Sequence, residues 1–229
     1  MRLITKETTD GNLNSATEEA LISMVINGEA EEFIWIWKHP KGIYMPNTTS
    51  INFVGVEFAK KNGYPINRSS LFSGGRASVI VTGYDFGICA AIKKSEIISS
   101  YSDFKNKVIN EASCYLASEL GIIAENKLDT NDIVIKSTDK KLAGSVCGQM
   151  DDIFITNQAY SISLPPEDFN SFFNLPIEKF ADKTVKSPAE RVTSLESESG
   201  RIVSMETIIS ILKDYYISLY WPLWRDTFL

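Results

Sequence analysis

Histidine occurs once in these 229 residues, at position 39, and cysteine three times, at 89, 114 and 147. The cysteines are far apart, odd in number and without a CxxC or Cys/His spacing, so neither a disulfide framework nor a zinc-ligand pattern is written here. A reducing cytosol suits such usage better than an oxidising compartment. No apolar run approaches the ~18 residues that a membrane-spanning helix requires. The opening "MRLITKETTDGNLNS" has no apolar core of a secretory signal. Basic charge is also short: 23 Lys and Arg against 29 Asp and Glu leave a net charge of −6. A broad cationic surface for nucleic acid is therefore excluded as an expectation.

What is present is an ordinary globular composition, 44% hydrophobic, of a length that suits one domain. Residues 15–27 carry apolar positions at helical spacing, with Ser15 or Thr17 as cap and Glu18 and Glu19 in the first turn. "EEFIWIWKHP" is a short aromatic and β-branched run stopped by Pro40, which predicts a strand. His39 has no visible partner in this pattern and reads as a loop residue. "VGVEFAKKNGYPI" predicts a short helix with a left-handed stop at Asn62-Gly63. In "RSSLFSGGRASVIVTGYDFGICAAIK" a Gly-Gly turn precedes two strands that read as a hairpin. That order excludes a Rossmann fingerprint or a P-loop, both of which start a helix after the glycines. Residues 102–120 make the strongest helical stripe. "NDIVIK", "KLAGSVCGQ" and "DIFITNQAYSISL" read as strands, the last two as hairpin partners. "PPEDFNSFFNLP" then gives a short helix, 181–203 a polar loop, and "SMETIISILKDYYISLYW" a final helix capped by Ser204. Strands in hairpins with helices between them define an α+β fold with mixed, largely antiparallel sheets and flanking helices.

Three stretches stand out. "SGGRASVIVTGYDFGICAAI" is Gly-rich, "NDIVIKSTDKKLAGS" joins an Asn-Asp pair to a lysine and small residues, and "RVTSL" precedes the last helix. Together, in this order, they resemble the lipoate–protein ligase A family and its relatives, the octanoyltransferases and biotin ligases, over about residues 15 to 220. The resemblance implies a biotin/lipoate ligase-like fold, with 1–229 as a single catalytic domain without a separate C-terminal accessory domain. It implies an acyltransferase or ligase that attaches lipoate or octanoate, through an acyl-adenylate, to a lysine of a lipoyl carrier domain. ATP and Mg would be needed if the chain is a ligase. A cytoplasmic protein is implied, with the carrier-domain protein as partner, room for a separate accessory subunit, and no nucleic acid or membrane.

The site residues follow from the same resemblance. Lys141, directly before the small-residue segment, matches the family lysine that contacts the acyl carboxylate and the adenylate phosphate. A fixed ammonium there stabilises charge developing on the reacting carbonyl. The bare reading of "DKKLAGSV" is a surface hairpin with a charged turn. In a regular strand Lys140 points the other way. Ala143 and Gly144 let a ligand approach the backbone. Ser73, Gly74, Gly75, Arg76 and Ala77 occupy the adenylate segment, or make an ordinary tight turn. Asn131 and Asp132 sit where relatives keep an Asn-Asp pair near nucleotide and metal, or start a strand with a turn. The chain departs from the family pattern: Arg-Arg is replaced by Ser70-Leu71, the third glycine by Arg76, His-Asp by Ile80-Val81, and Ala-Gln after Gly-Ser by Val146-Cys147. These changes keep a second expectation open, a binding or scaffold protein that retains the fold without the chemistry. Cys147 reads as a small buried hydrophobe, and Cys89 and Cys114 as core.

Overall fold

The structure, a computed structural model, describes residues 1–5, 9–69, 79–127, 131–174 and 187–220. Its strands are β1 (Arg2–Ile4), β2 (Phe33–Lys38), β3 (Gly42–Pro46), β4 (Ile66–Ser69), β5 (Ile80–Thr82), β6 (Asp85–Lys93), β7 (Ala124–Asn126), β8 (Asp132–Ile135), β9 (Lys141–Met150) and β10 (Ile153–Ser161). Seven form one sheet in the order β1-β2-β6-β10-β9-β8-β7, and three form a second in the order β4-β3-β5. Pairing is antiparallel except β1 with β2 and β3 with β4. This is the expected α+β architecture.

Both faces of the large sheet are covered at its centre. On one side Ile34, Ile36, Phe86, Ile88, Phe154 and Tyr160 pack against α4 (Ala112–Glu119) and α7 (Met205–Tyr220), which contribute Leu116, Leu212 and Tyr216. On the other, Phe33, Trp35, Trp37, Cys89 and Ile155 pack against Ile22 and Val25 of α1 (Gly11–Ile26). Burial from both sides explains why β6, "DFGICAAIK", lacks polar–apolar alternation. The small sheet packs with α2 (Val56–Lys61) around Ile43, Met45, Val81, Phe169 and Phe172.

Several local expectations change. The first helix starts four residues before Ser15, because Asp10 caps it by accepting from the amides of Asn12 and Leu13. The helix over 102–120 is not uniformly α: Phe104–Glu111 is a π-helical stretch between α3 (Tyr101–Asp103) and α4. Gly63 supplies the left-handed stop after α2, with φ +68°. The expected hairpin around Thr82-Gly83 does not form. β5 joins β3 in the small sheet, while β6 crosses into the large one between β2 and β10. Gly83 (φ +114°) is the corner, and its amide donates to Asp85 Oδ1 at 3.0 Å. Within the polar segment before α7 two short helices appear, α5 (Pro188–Arg191) and α6 (Leu195–Ser199), capped by Ser187 and Ser194. Ser204 caps α7 through the Thr207 amide. Among the described residues no helix is long and apolar enough to cross a membrane.

Candidate active site

Lys141 begins β9, and a β-bulge decides where its side chain goes. Ile133 pairs with Ala143, but Val134 pairs with Lys141, so Leu142 is an extra residue opposite β8. In a regular strand Lys141 and Gly144, three apart, would face opposite sides. The bulge puts them on the same side as Asp132, which pairs with Gly144. The lysine then folds back over the glycine. A Cβ on Gly144 would lie 2.5 Å from Lys141 Nζ and 3.3 Å from Asp132 Oδ1. The absent side chain is what makes room for the ammonium. Lys140 precedes the strand and is exposed.

Asp132 is the hub. Lys141 Nζ lies 2.6 Å from its Oδ1, and Arg191 Nη2 donates to its Oδ2 at 2.6 Å. The Asp132 side chain is 12% exposed, and the lysine and arginine about a third exposed. Arg191 is the first residue of "RVTSL", and this segment is fastened to β9 by the backbone: Thr193 N–H donates to Lys141 C=O at 2.9 Å, with a parallel bridge between Lys141 and Val192. The motif before the last helix thus delivers a second cation to the same carboxylate.

The register extends this corner across the sheet. Asp132 pairs with Gly144, Gly144 with Ala159, Ala159 with Gly87, and Gly87 with Trp37. Directly paired residues share a face, so these five form one row on the α1 side. Its three central members are Gly, Ala and Gly. The three span about 10 Å, two strand spacings of ~4.8 Å, with Lys141 folded over Gly144 and the His39 and Trp37 rings over Gly87. Gly144 and Ala159 are half-buried. The cation corner stands at one end and aromatic rings at the other.

The aromatic end holds His39, which lies in the loop after β2 as expected but has a partner. It is buried, 6% exposed, and its Nδ1 lies 2.9 Å from Asp85 Oδ2. Its ring meets Trp37 edge-on, with centroids 5.2 Å apart. A Cβ on Gly87 would lie 2.8 Å from both Cε1 and Nε2 of His39 and 2.9 Å from Trp37 Cζ2. In the next row, Val146 pairs with Asn157 and Asn157 with Cys89. Asn157 Nδ2 donates to Glu18 Oε1, reaching a buried carboxyl on α1. Burial pushes the Glu18 pKa up to about 7, against the lowering by Asn157, Cys89 and His39. The Cys89 thiol is likewise raised by burial. Asn14, Tyr44 and Asn67 continue this polar seam around Gly11, where a Cβ would lie 2.5 Å from Tyr44 Oη.

Of the residues singled out in the sequence, Lys141, Asp132, Ala143 and Gly144 come together. Ala143 itself faces the helical core. Asn131 abuts the corner through its backbone, its carbonyl accepting from the Ser145 amide at 3.0 Å. Ser73, Gly74, Gly75, Arg76 and Ala77 lie outside the described residues. Cys147 is three positions from Gly144, hence on the opposite face, packed against the helical core as expected for a small hydrophobe. Cys114 also donates weakly into that side, to the Ala124 carbonyl. Arg191, His39, Glu18 and Asn157 were missed as site residues. Arg191 stood in a quoted motif, but the other three carry no signal short of the strand register. Among the described residues no group of three or more His, Cys, Asp and Glu side chains converges to hold a metal.

The mixed, mostly antiparallel sheets with flanking helices are a biotin/lipoate ligase-like fold. Residues 10–217 match the model of the lipoyl protein ligase A/B catalytic domain, and the chain belongs to that family. No curated protein sequence matches it. Among solved structures, the chain is similar to the bipartite lipoate protein ligase of Thermoplasma acidophilum, described with its E2 lipoyl domain (20% identity, TM-score 0.72, 95% of this chain and 82% of that one). It is similar to P. falciparum LipL1 in complex with lipoate (16%, 0.73, 99% of this chain), though it spans only 64% of that chain's length. It is also similar to a lipoate-protein ligase A bound with ATP (16%, 0.71, 95% and 84%). At these identities the likeness is one of fold.

Proposed function

We propose that this chain is an acyltransferase or ligase of the lipoate class, a single catalytic domain that attaches lipoate or octanoate to a lysine of a lipoyl carrier domain. The observation that carries this reading is the small-residue row that leads from Gly87 to the Lys141 ammonium. A short acyl chain that reaches this row near Ala159, between the ammonium over Gly144 and the rings over Gly87, brings its carboxyl to Lys141. The ammonium then stands where charge develops on the carbonyl as the acceptor amine attacks, and a preorganised charge there stabilises the transition state. Family membership supports the reaction class, and the relatives described with lipoate, ATP and an E2 lipoyl domain support the choice of ligands and partner.

Before ligand enters, Lys141 is engaged by Asp132. An incoming carboxylate or phosphate competes with Asp132 for the lysine, and Arg191 keeps the aspartate paired when the lysine leaves it. Two cations in one corner suit phosphate oxygens. If ATP is the activating co-substrate, Lys141 and Arg191 would meet its phosphates. Asp132 would supply a carboxylate for Mg²⁺, which commonly binds through one or two carboxylates plus phosphates. A separate accessory subunit fits the reading without being required by it. Three free cysteines suit a cytoplasmic location.

The test is acylation of a recombinant lipoyl domain by the purified chain with lipoate or octanoate, ATP and Mg²⁺, read by mass spectrometry, alongside calorimetric titration of the same acids. Transfer and binding are expected. Binding without transfer, with or without an added accessory subunit, would favour a binding or scaffold protein. The Lys141–Asp132 pair, which already neutralises the proposed catalytic ammonium, is the observation on that side.

A further inference from the structure

Thr193, the third residue of "RVTSL", is held on both sides. Tyr160 is the last β10 residue to pair with β9, opposite Ala143. Beyond it the amides of Ile162 and Ser163 both donate to the Tyr84 carbonyl, on the β6 side. The place beside Lys141 is taken instead by residues 192–193, through the bridge from Val192 and the bond from the Thr193 amide to the Lys141 carbonyl. Thr193 is 2% exposed, and its Oγ1 donates to Glu198 Oε1 at 2.5 Å. Glu198 belongs to α6, whose start is fixed by the Ser194 cap and by Leu195, fully buried in the helical core. The bulged start of β9 is thus clamped between Val134 of β8 and a threonine pegged to α6. A bulge breaks the ladder locally and re-aims a side chain, so it keeps its register only where its neighbours hold it. A one-residue slip here would send Lys141 to the other face, away from Gly144 and Asp132.

We infer that Thr193 is a positioning residue: its amide and its hydroxyl together hold the bulge in the register that aims Lys141 at the acyl carbonyl. It acts through the lysine. The inference rests on the proposed function for the role of Lys141 and adds the residue that sets its direction. The hydroxyl matters because a methyl in its place leaves the clamp to the backbone alone and a Glu198 oxygen without its donor.

Thr193→Val keeps the shape and removes the donor, whereas Thr193→Ser keeps the donor. Octanoate is titrated by calorimetry into the full chain with and without Lys141→Ala, in the wild-type and the Thr193→Val backgrounds. Lys141→Ala should weaken octanoate binding at least ~10-fold in the wild type, the scale of a hydrogen bond to a charged group, and hardly at all in Thr193→Val. Thr193→Ser should behave as the wild type. The side-chain resonances of Lys141, assigned by their loss in Lys141→Ala, give a readout without ligand. Asp132→Asn should shift them in the wild type, where Nζ lies 2.6 Å from the carboxylate, and leave them in place in Thr193→Val. If Thr193→Val does not fold, Glu198→Ala, which removes the acceptor from a half-buried position, takes its place in both measurements. An equal loss from Lys141→Ala in both backgrounds, equal shifts of its resonances, or a Thr193→Ser that behaves like Thr193→Val would overturn the inference while leaving the acyl-binding reading intact. If octanoate binds no variant, or binds without needing Lys141, the proposed function fails and the resonances alone decide the role of Thr193.

Discussion

The two ends of the row from Asp132 to Trp37 are built by opposite means. At the Lys141 end a lysine and an arginine about a third exposed share one buried carboxylate, and the lysine reaches its place through the flexible end of its chain. At the His39 end the polar groups are buried, held by rigid rings and backbone turns. The first arrangement lets one cation leave for a ligand while the other keeps the buried carboxylate paired. The second does not, because burial makes every unpaired polar group costly. One end can exchange partners, the other holds its shape.

Changes at the two ends should separate these roles. The largest effect is expected at Glu18. Its folded pKa of about 7 exceeds the unfolded value of 4.5, so the folded state holds a proton that the unfolded state releases as pH rises. This group leaves stability intact below pH 4.5, and stability falls between pH 4.5 and 7 by an amount approaching about 3 kcal/mol. Glu18→Gln, which keeps an acceptor for Asn157, should flatten that decline in denaturant unfolding measured from pH 4 to 8. An unchanged slope would remove Glu18 from the buried polar end.

Lys141→Ala comes next. Transfer to a lipoyl domain should fall at least ~10²-fold, the scale of losing one preorganised charge contact. The melting temperature should hardly move, since Arg191 still pairs with Asp132. Lys140→Ala should do little to either. Equal small losses from both would reduce "DKKLAGSV" to a hairpin with a charged turn.

A methyl group at each glycine of the row sharpens the contrast further. Gly87→Ala drives a Cβ into the His39 and Trp37 rings, and should cost about 1–3 kcal/mol of stability. Gly144→Ala meets chiefly the far end of the Lys141 side chain, with Asp132 Oδ1 at 3.3 Å, so thermal unfolding should change less than for Gly87→Ala while transfer activity drops. If Gly144→Ala proves as destabilising as Gly87→Ala, the cation corner is as rigid as the aromatic end. A smaller effect than that of Lys141→Ala is expected from Arg191→Ala, which removes one of the two cations 2.6 Å from Asp132. An activity loss of about 10-fold, equivalent to ~1.4 kcal/mol, should appear in transfer assays with stability largely retained.

Much of this was legible residue by residue. The helix stripes, the Asn62-Gly63 stop, the α+β order and the family motifs depend on neighbours close in sequence, where spacing and capping chemistry act directly. Lys141, Asp132 and Gly144 were legible because one β-hairpin carries all three within thirteen positions. His39 does lie in the loop after β2, but its burial and its partner, Asp85, 46 positions away, were not legible. Glu18 and Asn157 are 139 apart, and nothing local in either segment announces the other.

The amino-acid sequence by itself determined the elements, the mildly acidic surface, the family and the lysine beside small residues. Only the tertiary structure decided that Leu142 bulges, so that Lys141 turns to the face of Gly144. It also decided that β6 leaves the β5 hairpin for the large sheet, so that Gly87 falls in line with Ala159 and Gly144. A one-residue change of register moves a side chain to the other face of a sheet. Register is set by the packing of whole faces against α1, α4 and α7, and that packing exists only once the chain has folded.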